Sequence, residues 1–139
     1  MGVVGRISRL AQLPEGEVEP VFAEHGLNGG EFDVLAALRR SGPPFRLTPT
    51  HLSDALMVTS GGMTKRLTTL AARGLVERAA DDDDKRSNWV VLTREGRRLV
   101  ERALEDHVAN EARLLAPMPR AQRAELASLL EQLALALGD

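Results

Sequence analysis

The chain has 139 residues, with 18 basic and 20 acidic side chains, three histidines and no cysteine. That length suits one compact domain or one protomer of an obligate oligomer. Hydrophobic residues at 43% and charged residues at 27% exclude a largely disordered chain. Without cysteine there are no disulfides, thiolate metal sites or thiol switches, which points to a reducing, cytoplasmic setting.

No segment approaches the ~18 consecutive apolar residues of a membrane span. Met1 to Leu13 carries Arg6 and Arg9 and lacks the unbroken apolar stretch of a signal peptide. Aromatic residues are limited to Phe22, Phe32, Phe45 and Trp89, which counts against stacking of single-stranded bases. A net charge of −2 is, taken whole, equally unsuited to a polyanion, but it hides an asymmetry. Residues 1–47 sum to −1, residues 48–98 to +2 and residues 99–139 to −3. Only the middle third is positive.

In chain order, residues 3–13 and 17–25 read as short helices broken around Pro14 and Gly16. Phe32, Leu35, Ala36 and Leu38 give an amphipathic helix that ends at Ser41-Gly42-Pro43-Pro44. Thr48-Pro49 is a cap and first-turn pair, opening a helix with Leu52, Ala55 and Leu56 on one face. A further helix runs from Ser60 to Ala72 and stops at Gly74. Val76 to Ala79 and Asn88 to Leu92 are β-prone and flank the charged stretch Asp81 to Ser87, as in a hairpin. Thr93 caps a long helix over 94–115, Pro117 and Pro119 end it, and a leucine-rich helix follows over 120–137. Met57, Met63 and Met118 read as core residues. The expected fold is mainly α with a small β-hairpin wing (α+β).

Helix, tight turn, helix and hairpin in this order make a winged helix-turn-helix. Advancing about 100° per residue puts Leu67 and Leu70 within about 40° of Met63, so these three face the core. The opposite face then carries Gly61, Lys65, Thr68 and Thr69, with Thr64 and Arg66 on its flanks and Ser60 and Gly62 at its start. Short hydroxyls, glycines and a long cation suit a duplex major groove, where backbone must approach closely and side chains must reach base edges. Residues 60–73 contain no acid. Lys85 and Arg86 follow four aspartates at the hairpin tip and are placed to reach the minor groove, braced by those acids. A solvated acidic turn without a role is the alternative.

These motifs carry a resemblance. Thr48-Pro-Thr-His-Leu-Ser-Asp-Ala-Leu, Ser60-Gly-Gly-Met-Thr-Lys-Arg-Leu, Gly74-Leu-Val-Glu-Arg, Asp84-Lys-Arg-Ser and Leu92-Thr-Arg-Glu-Gly96, in this order, resemble the MarR family of transcriptional regulators over roughly residues 22–137. The resemblance implies a dimer whose termini intertwine, with the Ser60–Ala72 helix in the major groove and Arg86 in the minor groove. The weakly patterned N-terminal helix departs from the family. It further implies a small, often phenolic or acidic aromatic effector between the DNA-binding and dimerisation lobes. In a urate-sensing subgroup the site is built from a tryptophan, an aspartate and two arginines. Asp33, Arg66 and Arg78 stand at the matching places, but the tryptophan is missing. A generic apolar cleft is the alternative site, and Asp33 and Arg78 also suit structural ion pairs.

Charge and leucine content support the same division. Residues 1–30 and 94–139 form a helical dimerisation region, and residues 31–93 form the DNA-binding lobe. Two long leucine-rich helices exceed what one small lobe can cover, so a partner chain must bury them. A two-fold dimer places its reading helices about 34 Å apart and calls for a pseudo-palindromic operator. The expected activity is ligand-responsive repression; activation by the same fold, or a winged-helix protein–protein module, are the alternatives. No cofactor is expected. His107 and Glu111 stand at i, i+4, with His25 and His51 elsewhere, but two ligands do not close a metal site. Nor is an enzyme expected. Gly61-Gly62 lacks the strand and lysine spacing of a P-loop, Ser60 has no nearby histidine, and no acid sits in an apolar setting that would raise a catalytic pKa.

Overall fold

The computed structural model describes residues 2–13, 15–80 and 88–139. In chain order the elements are α1 (Val3–Gln12), α2 (Glu15–Ala23), α3 (Gly29–Arg40), β1 (Arg46–Leu47), α4 (Pro49–Leu56) and α5 (Ser60–Ala72). They continue with β2 (Val76–Ala80), β3 (Asn88–Leu92), α6 (Arg94–Leu114) and α7 (Arg120–Ala136). The chain divides into two compact units, 1–107 and 108–139.

In the first unit, α3, α4 and α5 pack their apolar faces together and the sheet closes one side. Val34, Leu35 and Leu38 from α3, Leu52 from α4, and Met63, Leu67 and Leu70 from α5 are fully buried. Val76, Val90 and Val100 complete this core from β2, β3 and α6. Each such side chain contributes roughly 1.5–3 kcal/mol relative to exposure, so the core fixes how α5 is presented.

The helix starts follow from local chemistry. Asn28 and Glu31 form a capping box: Glu31 N–H donates to Asn28 Oδ1 at 2.8 Å, and Asn28 N–H donates to Glu31 Oε1 at 3.0 Å. Thr48 Oγ1 accepts from His51 N–H at 3.1 Å, with Pro49 in the first turn. Thr93 Oγ1 accepts from Gly96 N–H at 3.0 Å and donates to the Gly74 carbonyl at 2.7 Å, tying the start of α6 to the end of α5. Gly74 takes φ +72, the left-handed stop that its position calls for.

Three details differ from the sequence reading. Gly16 does not break a helix; it lies in the first turn of α2. The sheet has three strands, ordered β1-β3-β2 and antiparallel, because Arg46 and Leu47 pair with Val91 and Val90. A two-residue strand leaves no periodicity to read. Met57 is not core: it is 93% exposed, because the turn between α4 and α5 holds it at φ 54, ψ 43 and turns its side chain outward. Met63 is buried as expected and Met118 is half-buried.

In the second unit, α7 buries none of its residues within the chain. Leu126, Leu129, Leu130, Leu133 and Leu135 remain exposed along it, and Leu137 just past its end. Among the described residues no helix is long and apolar enough to cross a membrane.

Candidate nucleic-acid interface

The turn that aims α5 is short and held by backbone hydrogen bonds at Met57 and Val58. Val58 N–H returns to the Ser53 carbonyl at 3.0 Å, and Thr59 Oγ1 accepts from Gly62 N–H at 3.1 Å to cap α5. Thr59 thus satisfies one of the free amides of the helix start. The two glycines that follow have different surroundings. A Cβ on Gly62 would press on Val58 Cγ1 at 3.0 Å and Thr59 Oγ1 at 3.1 Å, so Gly62 serves the turn itself. A Cβ on Gly61 would meet nothing within 4 Å. Nothing inside the fold needs Gly61 to be bare; an external surface pressed against the helix start would.

The outward face of α5 carries Ser60, Gly61, Thr64, Lys65, Thr68 and Thr69, all exposed. Its threonine hydroxyls donate back along the helix, Thr64 to the Ser60 carbonyl at 2.9 Å and Thr68 to the Thr64 carbonyl at 2.8 Å. Thr69 does the same to the Lys65 carbonyl at 3.1 Å. With their protons engaged, these hydroxyls present lone pairs and methyl groups outward. That is a surface able to accept from base amino groups and to touch thymine methyls, beside one mobile ammonium for phosphate or guanine.

Arg66 is turned elsewhere. It is half-buried, and its Nη1 donates to the Gly30 carbonyl at 3.4 Å. Together with Lys65, Glu19 and Gly29 it lines a cavity of about 510 Å³ between α5 and the start of α3. Glu19 accepts there from Gly29 N–H at 3.1 Å, an anion seated on the amino end of a helix.

Of the three residues matched to a purine-type site, the fold brings two together. Asp33 and Arg66 are close enough for their charges to interact. Arg78 lies exposed on β2, opposite Val90, and among the described residues makes no ion pair with Asp33. Asp33 bears on the expectation that no acid sits in an apolar setting that would raise a catalytic pKa: its carboxyl is raised, but on an exposed residue and not in an apolar pocket. It keeps contact with solvent, but the surrounding protein removes enough hydration to hold its carboxyl above the ordinary value. Arg66 and His107 oppose that rise without cancelling it. His107 itself sits against the stacked pair Phe22 and Phe32, with ring centroids 5.1 and 5.3 Å away.

Among the described residues no three histidine or acidic side chains gather as a metal site. Lys85 and Arg86, the expected minor-groove residues, lie outside the described residues. On β3, one pair from the loop-side end of its ladder with β2, Trp89 is stacked by Arg46, whose guanidinium carbon lies 4.4 Å from the ring centroid. Sequence reasoning missed the Thr59 cap and the seat that Gly30 provides for Arg66. A threonine directly before the helix start was the available signal for the first; no local signal announced the second.

A family model described as MarR family matches residues 25–87. The HTH-type transcriptional regulator PecS of Dickeya dadantii is 37% identical over 130 residues, which cover 94% of this chain and 78% of PecS. The HTH-type transcriptional repressor YetL of Bacillus subtilis is 37% identical over 90 residues, covering 65% of this chain and 53% of YetL. A mutant MarR from E. coli complexed with operator DNA is similar in fold, with a TM-score of 0.82 at 25% identity over 94% of this chain and 92% of that one. A MarR family transcriptional regulator from Streptomyces coelicolor gives a TM-score of 0.84 at 26% identity over 99% and 98%. These relatives are transcriptional regulators and not enzymes. The PecS match over most of both chains, on the winged helix-turn-helix described above, shows that this chain belongs to the MarR family of transcriptional regulators.

Proposed function

We propose that the protein is a cytoplasmic homodimer that binds a pseudo-palindromic duplex operator and represses transcription until a small aromatic or acidic effector releases it. The observation that carries this reading is the outward face of α5: capped by Thr59, free of acids from residue 60 to 73, and lined by hydroxyls around Lys65. A helix inserted by its N-terminal end places Ser60, Gly61, Thr64, Lys65 and Thr68 at base edges and phosphates. Gly62 supports the turn behind them, and Arg66 anchors the helix to α3. Lys85 and Arg86 supply the minor-groove contact. The operator complex of the E. coli MarR mutant supports duplex DNA as the partner.

Residues 31–93 are the DNA-binding lobe, and residues 1–30 and 94–139 form the dimer. Supporting the dimer, α1 buries none of its residues and leaves Val3, Val4 and Leu10 exposed, and α7 leaves its leucines exposed. Apolar helices of this kind are covered by a second chain. The cavity beside Arg66 has the size and mixed charge for an acidic effector, with Asp33 close by. Bound there, an effector would favour one spacing of the reading helices over another and shift the population off DNA. Repression is the action that YetL's name carries.

The test is selection of binding sites from random duplexes, followed by titration at increasing salt. A palindrome with half-sites one helical turn apart, bound more weakly as salt rises, is expected from counterion release. Recovery of no consensus, with a flat salt response, would favour a protein–protein module instead.

A further inference from the structure

We propose that a second, basic cleft in the first unit binds a small polyphosphate, of the class of an inorganic or organic di- or triphosphate. The cleft has a volume of about 650 Å³. Four arginines line it: Arg73 from the end of α5, and Arg94, Arg98 and Arg102 from α6. His25, Leu75 and Leu99 complete the walls, and Glu95 is the one acid among the lining residues.

The spacing is structural. Arg94, Arg98 and Arg102 recur every four residues, so they form one stripe along about two turns of α6, rising roughly 12 Å. That length matches a chain of two or three phosphates better than a single anion. Guanidinium groups offer paired donors that fit phosphate oxygens, and a stripe of three, faced by a fourth, can engage several phosphates at once.

Of the neighbouring acids, Glu101 pairs with arginines outside the cleft, whereas Asp106 and Glu31 each pair with one of its lining residues. Glu101 accepts from Arg97 at 3.0 Å and from Arg39 at 3.3 Å; Asp106 pairs with His25 at 2.7 Å. Glu31 faces Arg73 at 3.6 Å, and Arg73 also donates to the Gly26 carbonyl at 2.7 Å. Glu101 and Glu105 flank Arg98 and Arg102 on their other side without coming within ion-pair distance of either. Among the described residues, Arg94, Arg98 and Arg102 therefore make no ion pair. Like charges held four residues apart on a helix oppose its formation, and a polyanion seated across them removes that repulsion.

Duplex DNA is not the occupant. This step rests on the reading of α5 as the groove helix: its N-terminal end meets DNA, and Arg73 lies at the other end, roughly 20 Å away along 13 residues. The cleft is thus separate from both the DNA face and the cavity beside Arg66.

The experiment uses the full chain without DNA, so it does not depend on operator binding. Inorganic tripolyphosphate is titrated calorimetrically at about 150 mM salt, where loose surface attraction is screened. One saturable site per chain is expected. Arg98→Gln with Arg102→Gln should weaken it at least tenfold, whereas Arg6→Gln with Arg9→Gln, an equal loss of charge on α1, should leave it unchanged. Sulfate should bind at least tenfold more weakly than tripolyphosphate. Backbone amide shifts in the unmodified protein give an independent reading: they should move at Arg73, Arg94, Arg98 and Arg102. No saturable binding, equal loss in both double variants, equal affinity for sulfate, or shifts confined to the Lys65 face would each overturn the proposal.

Discussion

Arg66 lies across Gly30, with its guanidinium carbon only 2.7 Å from where a Cβ on that residue would stand. The bare glycine at the start of α3 is what admits the arginine, whose Nη1 reaches the Gly30 carbonyl and whose charge acts on Asp33. Removing the arginine has a readable consequence. Burial raises the Asp33 carboxyl and Arg66 is the strongest influence lowering it, so Arg66→Gln should raise its pKa further. Carboxyl carbon shifts followed through an acid titration would measure this; an unchanged or lower value would contradict the influence of Arg66 on Asp33.

The same raised pKa sets a pH dependence. A carboxyl that is harder to ionise in the folded chain favours folding while protonated, and that advantage is lost as pH rises through its folded pKa. Asp33→Asn should therefore stabilise the protein modestly at pH 7 and lose that gain below the ordinary carboxylate range. Thermal melts at pH 7 and pH 3 are the measurement. A variant less stable than the parent at pH 7 would show that the ionised carboxylate is favourable in place.

Met57 holds a left-handed backbone that side chains with a Cβ rarely adopt, and it buries almost nothing in return. Glycine takes that conformation without the steric cost, so Met57→Gly should raise stability by up to about 1 kcal/mol. Urea denaturation should show a higher midpoint with unchanged slope. A lower midpoint would mean that the thioether is packed after all.

Thr59 caps α5 through one hydrogen bond, to Gly62 N–H. Thr59→Ala should cost about 1 kcal/mol, and Thr59→Ser should retain most of the stability because serine keeps the acceptor. Chemical denaturation of the pair distinguishes a cap from a contact made by the threonine methyl, which serine lacks.

Much of this was legible in the sequence because it is local. The Thr48-Pro49 start, the Met63, Leu67 and Leu70 stripe, the stop at Gly74 and the Thr93 cap each depend on residues within one or two turns. The Asn28 and Glu31 capping box was equally local and was there to be read. What stayed hidden depends on distance along the chain. Arg66 meets Gly30 across 36 residues, and Arg39 meets Glu101 across 62. Strand β1 is too short for any pattern. Met57 looked apolar and therefore buried, because hydropathy carries no information about a left-handed turn. The separation of Arg78 from the Asp33 and Arg66 pair likewise depends on where β2 is laid down.

The exposed leucines of α7 make a sharp prediction about assembly. Leu129→Lys with Leu133→Lys should leave the helical content of the isolated chain intact, since neither side chain is buried within it. Sedimentation should show two chains for the parent and one for the variant. A variant that remains two-chain would move the dimer interface off this face.

Whether the Lys65 face of α5 reads duplex DNA is decided by fluorescence anisotropy with a selected palindromic duplex. Lys65→Ala should weaken binding roughly tenfold and lower the slope of log affinity against log salt by about 1 for each reading helix, with the fold unchanged. Identical affinity and an identical slope for the parent and for Lys65→Ala would show that this face does not meet the duplex.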